Sequence, residues 1–377
     1  MTETPGLLLT IIAFALVLGP LVFVHELGHY LAGRWFGVKA DEFAVGFGRE
    51  VAGFTDKRGT RWKFGWLPLG GYVKFAGDMN PASQPSAEWL ELPAAERART
   101  FQSKPLWQRA IIVAAGPFIN LALAVLILAG FALTYGESRT PPVVGLIEAR
   151  SAAATAGLRA GDRIVEIGGR SIDRFDDLKL FAAMRPTETV RVDIVRGGVP
   201  LSLPLTIGVV RERDRFGNDY RIGRIGIGPA TTEWVPVPLI EAPGVGVRRT
   251  GEIIGMMVDS IGQIVTGRRS LDELGGPLKI AQVSGQQLSL GWPEFISLIA
   301  LISINLGFIN LLPVPILDGG HLMFYAIEAV RRRPASPRAM EWAFRGGLAA
   351  MLALMLLVTI NDLGSFGLWR GLAGLIG

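Results

Sequence analysis

An α-helical polytopic membrane protein is the fold class this sequence predicts, with four transmembrane helices, membrane-associated β-strands and one small α+β domain. Three observations lead there. Half of the 377 residues are hydrophobic and only 19% are charged, against about 25% in ordinary soluble domains. Mean hydropathy is +0.38. Four apolar stretches are long enough to cross a hydrocarbon core, which takes roughly 20 residues. The chain has no cysteine, which removes disulfides, thiolate metal sites and cysteine nucleophiles together. Its only histidines are His25, His29 and His321.

In chain order, residues 1–36 hold the first span, Gly6 to Phe36. It lacks a basic n-region and a small-residue cleavage site, so it reads as a retained helix and not a signal peptide. Residues 37–106 form a polar loop in which Glu42–Gly48 and Arg61–Phe75 are rich in aromatic, β-branched and glycine residues. Both are expected as short strands. Beside a membrane such strands must pair or line a cavity, because lipid cannot satisfy their backbone groups. Pro81 to Arg99 reads as a linker. The second span, Ile111 to Tyr135, lies in residues 107–136.

Residues 137–230 follow as the small domain. Val143–Ile147 is expected as a strand, Ala152–Ala156 as a helix, Arg163–Ile167 as a strand, Asp176–Met184 as a helix and Val190–Val195 as a strand. Residues 231–292 contain an amphipathic stretch, Val247 to Thr266, suited to lie on a membrane surface. The third span, Phe295 to Leu317, falls in residues 293–320, a short loop occupies 321–341, and the fourth span, Ala343 to Ile360, lies in 342–377. The Gly-rich tail Gly364–Gly377 is expected to be interfacial.

Lysine and arginine set the orientation. None precedes His25, whereas the first loop carries them from Arg34 to Arg109 and the last loop holds Arg331, Arg332, Arg333 and Arg338. The positive-inside rule makes both loops cytoplasmic and places the termini and the small domain outside. The arginine run thus encodes topology, and no nucleic-acid partner is expected.

Chemistry concentrates in His25-Glu26-Leu27-Gly28-His29. Two histidines four apart share one face of a helix, where both can bind one Zn²⁺ while Glu26 serves as general base toward water. Ionised groups in an apolar helix cost about 2.5–3.5 kcal/mol each on insertion scales, and a metal compensates them. Catalytic zinc needs a third protein ligand and an open position. Near the end of the third span, Asn310-Leu311-Leu312-Pro313-Val314-Pro315-Ile316-Leu317-Asp318-Gly319-Gly320-His321 offers two candidates, Asp318 and His321.

These motifs resemble those of the site-2 protease family, the intramembrane zinc metalloproteases, in its bacterial regulator-of-sigma-E type. The resemblance implies Asp318 as the third ligand, with His321 outside the ligand set, and Asn310 as a holder of substrate backbone. Gly116-Pro117-Phe118-Ile119-Asn120 matches a glycine–asparagine motif of the second span. Phe43–Gly48 and Pro68–Tyr72, with Gly70 and Gly71, resemble membrane-reentrant strands that pair with unwound substrate. Leu274–Ala281 matches a further segment before the third span. The small domain resembles a PDZ domain in its element order, with Gly145, Leu146 and Ile147 as the peptide-receiving strand. Family members of this type often carry two such domains, and one is expected here.

The resemblance further implies a bacterial inner-membrane enzyme whose site faces the cytoplasmic side. Its substrates would be single-span membrane proteins already cut outside, such as anti-sigma factors, or signal-peptide remnants, and its output an envelope-stress response. A non-catalytic membrane PDZ adaptor is the alternative, and it gives no reason for HExxH and Asp318 to coexist. A metal transporter would need further intramembrane ligands, which the second and fourth apolar cores lack.

Overall fold

The computed structural model describes residues 6–77, 93–138, 140–213, 219–231, 233–266, 275–333 and 336–365. The chain divides into two compact units. One comprises Met1–Ala129, Pro243–Val258 and Leu274–Gly364, and the other Gly130–Ala242, Asp259–Glu273 and Ser365–Gly377.

Helix α1 (Leu7–Trp35) buries a row spaced by four, Ala13, Val17, Leu21 and His25, which is one ridge of a helix surface. Strands β1 (Ala40–Thr55) and β2 (Arg61–Phe75) form an antiparallel hairpin. Asp56 closes it by accepting the amides of Arg58 at 2.8 Å and Thr60 at 2.9 Å, while Gly59 takes a left-handed φ of 83°. β1 is longer than the expected Glu42–Gly48, because Glu50 and the run from Ala52 to Thr55 stay paired across the hairpin and Glu50 bonds Arg61. Phe43 stacks on Trp62 at 4.2 Å, and the Tyr30 ring meets Trp62 edge-on at 5.3 Å. These rings fasten the hairpin to α1 in a cluster with Val38, Ala40, Phe75 and Ile112.

Helix α2 (Leu106–Tyr135) contains Pro117 and crosses α1 closely. A Cβ on Gly28 would meet the Ala115 carbonyl oxygen at 2.5 Å, the small-residue contact that lets membrane helices approach.

The second unit holds β3 (Glu137–Ser138), β4 (Val144–Ile147), α3 (Ala152–Ala156), β5 (Arg163–Ile167), β6 (Arg170–Ser171), α4 (Phe175–Ala183), β7 (Thr189–Arg196) and β8 (Val199–Thr206). The hairpin β9 (Gly208–Arg213) and β10 (Asp219–Arg224) follows, then β11 (Ile227–Pro229) and β12 (Trp234–Val235). Strands β6-β5-β7-β8 make a four-stranded sheet, and β11 pairs antiparallel with β4. Ile164, Ile167, Phe175, Leu178, Ile194 and Leu205 are among the fully buried side chains of its core.

Among the described residues five more helices follow: α5 (Ala242–Val265), α6 (Pro277–Leu290), α7 (Trp292–Leu311), α8 (Asp318–Arg331) and α9 (Pro337–Ser365). Among the described residues, α1, α2, α7 and α9 are long and apolar enough to cross a membrane, and the protein is polytopic. The third span is corrected at its end: the helix stops at Leu311 and not at Leu317. Pro313 lacks an amide to continue it, and its ring disfavours a helical Leu312, which has ψ 141°. Most of the expected linker and of the interfacial tail, and Leu274, lie outside the described residues. The linker's end forms one helical turn, Ala94–Arg97.

Candidate active site

The buried ridge of α1 ends in the histidines. Val17 and Leu21 pack with Phe295 and Leu298 of α7, and the next positions along the same row are His25 and His29. Asp318 arrives from the chain after α7. Val314 and Leu317 amides bond back to the Leu312 and Val314 carbonyls, at 2.7 and 3.1 Å, closing a tight turn. Ile316 sits there at φ +89°, a strained value for a β-branched residue. Gly319 and Gly320 have no room for a Cβ against the carbonyls of Leu311, Leu312 and Val314. Asp318 thereby opens α8 with its carboxylate turned to the histidines.

Three atoms converge. His25 Nε2 lies 3.2 Å from Asp318 Oδ2, His29 Nε2 3.5 Å from the same oxygen, and the two Nε2 atoms 3.3 Å apart. Ligands held about 2.0–2.1 Å from a tetrahedral zinc stand about 3.3 Å from one another. The three separations therefore fit residues that would together hold one such ion. His29 Nδ1 lies 2.9 Å from the Ile112 carbonyl. A carbonyl can only accept, so Nδ1 carries the proton and Nε2 keeps its lone pair for the centre. The ring sits against Gly116, where any Cβ would fall on it.

Glu26, one residue on and rotated about 100° around the helix, is buried and faces β2. The Val73 amide reaches its carboxylate, and Gly71 lies so close that a Cβ there would be 3.0 Å from Glu26 Cγ. Gly70 takes φ +96° and turns toward the Phe47 ring. Of the two glycines only Gly71 adjoins the site.

The remaining expected residues sit elsewhere. His321 packs its ring 4.9 Å from that of Phe344, and of the two candidates it is Asp318 that joins the histidines. The Asn310 amide donates to the Leu306 carbonyl of its own helix at 3.0 Å. Gly145, Leu146 and Ile147 belong to β4 in the second unit, where Leu146 faces Gly228 and Ile147 faces Ile227 of β11. In that unit a cavity of about 280 Å³ lies between Phe175, Leu178 and Ala182 of α4 and the run Ile222–Ile227. Two contributors were not legible as such in the sequence. The Ile112 carbonyl has no side-chain signature, and the role of Asn120 depends on which residue it meets across α2 and α1.

The sequence profile of peptidase family M50 matches residues 13–354. The chain belongs to peptidase family M50. A protein of Agrobacterium fabrum that carries the name zinc metalloprotease is 47% identical over 363 residues, covering 94% of this chain and 96% of the relative. One of Rhizobium meliloti with the same name is 44% identical over 362 residues, covering 94% and 96%. Metalloprotease MmpA of Caulobacter vibrioides is 34% identical over 395 residues, covering 98% and 99%. This M50 chain is a zinc metallopeptidase with zinc as its cofactor and a multi-pass membrane protein.

Proposed function

We propose that the chain is a site-2 protease that hydrolyses peptide bonds within the membrane, with His25, His29 and Asp318 holding zinc and Glu26 as general base. The convergence of three ligand atoms at tetrahedral spacing, two of them on a helix apolar enough to span a bilayer and the third just beyond another, carries this reading. When bound, zinc lowers the pKa of water toward about 7 and polarises a carbonyl. Glu26 takes the proton from the attacking water and returns it to the departing amine. Its burial between α1 and β2 keeps competing bulk water away from that proton.

The substrate is a single-span membrane protein, shortened outside by an earlier cut. A helix presents no free peptide bond, because its amides and carbonyls bond internally. Unwinding it against the edge of the β1–β2 hairpin near Gly70 and Gly71 supplies replacement backbone partners. Asn310, at the C-terminal end of α7, releases the Leu306 carbonyl to hold the substrate chain. The second unit acts as a single PDZ-type domain that docks or filters peptide ends at Gly145–Ile147, a role supported by its strand and helix order. The enzyme resides in a bacterial inner membrane with that domain and both termini periplasmic. Anti-sigma factors of a stress response and signal-peptide remnants are its substrate classes.

Glu26→Gln is the test. In purified protein it should retain one zinc per chain and lose cleavage of a single-span substrate by at least about 10²-fold, the usual share of general-base catalysis. Full activity in that variant would overturn the mechanism.

A further inference from the structure

Asn120 lies mid-way along the apolar helix α2 and is fully buried, at 0% exposure. Burying a carboxamide costs several kcal/mol unless its atoms are bonded. Its amide nitrogen stands 3.3 Å from His25 Nδ1, and its oxygen Oδ1 has no partner among the described residues. A half-turn about the last side-chain bond exchanges nitrogen and oxygen with no change of shape, so the needs of His25 decide which end faces it.

His25 presents Nε2 to His29 and Asp318. A neutral imidazole that gives its Nε2 lone pair to a metal carries its proton on Nδ1 and must donate there. An N–H group opposite would set proton against proton, whereas a carbonyl oxygen accepts. His29 already shows this arrangement, with Ile112 as acceptor. Asn120 is also anchored, since Ser303 Oγ of α7 donates to its backbone carbonyl at 2.8 Å.

We propose that Asn120 is a positioning residue whose carboxamide oxygen accepts the Nδ1 proton of His25, holding that ring in the tautomer with Nε2 free for zinc. The inference rests on the ligand set proposed above and deepens it. Zinc affinity, measured by chelator competition on the full-length detergent-solubilised protein, tests it in wild type, Asn120→Leu, Asn120→Asp and His25→Ala.

Asn120→Leu should bind zinc about 10–100-fold more weakly. Asn120→Asp supplies a carboxylate acceptor of the same shape and should bind within about threefold of wild type or more tightly. A merely structural amide predicts the reverse order, because an unpaired buried carboxylate is costlier than leucine. Equal loss in both variants, or loss in neither, overturns the proposal. If Asn120→Leu does not fold, a tenfold loss in Asn120→Asp is enough to overturn it. Undiminished zinc binding in His25→Ala would instead bring down the ligand set itself, a separate result.

Discussion

Gly116 owes its missing side chain to His29, whose ring occupies the space a Cβ would need. Gly116→Ala should push that ring off the Ile112 carbonyl and weaken zinc binding at least about tenfold, read by chelator competition. The unfolding temperature of the zinc-free protein should change far less. Away from the spans, Arg196 grips the buried Asp162 through two bonds of 2.7 Å. Burial alone would raise this carboxyl's pKa; the Arg196 guanidinium and the Arg159 amide outweigh it and hold the carboxyl below the usual range. A pKa depressed in the folded state stabilises above the unfolded value, about 3.9, and loses that contribution as pH falls through the folded one. The gap in unfolding temperature between wild type and Arg196→Gln should therefore be constant from pH 7 to 5 and close below about pH 4. A gap that instead closes between pH 7 and 5 would assign the effect to another group. At this scale His25, Glu26 and His29 were legible because their spacing is local. Gly116 and Asn120 were visible only as a motif, since their purpose depends on a neighbouring helix.

Between elements, the clearest long-range tie is Asp362. This buried residue near the end of α9 accepts the Gly276 amide at 3.0 Å and the Lys279 amide at 3.1 Å, and so caps the first turn of α6, whose own N-cap, Gly276, has no side chain to do it. A carboxylate there also complements the positive end of the helix dipole. Asp362→Ala leaves two amides without their acceptor and should cost about 1–3 kcal/mol, measured as lost thermal stability in detergent, with zinc content unchanged. Nothing in the sequence near Asp362 announces a cap for a helix that starts more than 80 residues earlier, at a separation of 86 from Gly276 and 83 from Lys279. The same limit explains the length of β1: Glu50 looks like loop locally and becomes strand only through its partner Gly65 on β2. The strands of the second unit were easier, because alternation marks them within a few residues.

For the whole molecule, the charge pattern makes an orientation prediction that the chain is well suited to test. With no native cysteine, single cysteines can be placed at Arg332 and at Glu148 and labelled in intact cells by a membrane-impermeant maleimide. The Glu148 site should react from outside and the Arg332 site only after permeabilisation; the opposite pattern would invert the topology. The four spans and the order of the polar segments were readable from hydropathy alone. The meeting of Asp318 with the histidines came only from the family resemblance, because no local pattern encodes a contact 289 residues long.

That separation has a consequence during synthesis. Ribosomes add about 5–20 residues per second, so roughly 15–60 s pass between the emergence of His29 and that of Asp318. Through this interval the growing chain carries two imidazoles and Glu26 without the Asp318 carboxylate that faces the histidines in the folded protein. The three side chains can meet only after residues Gly130–Ala242 of the second unit have been made. A nascent metallopeptidase thus lacks one of its three converging side chains for most of its synthesis.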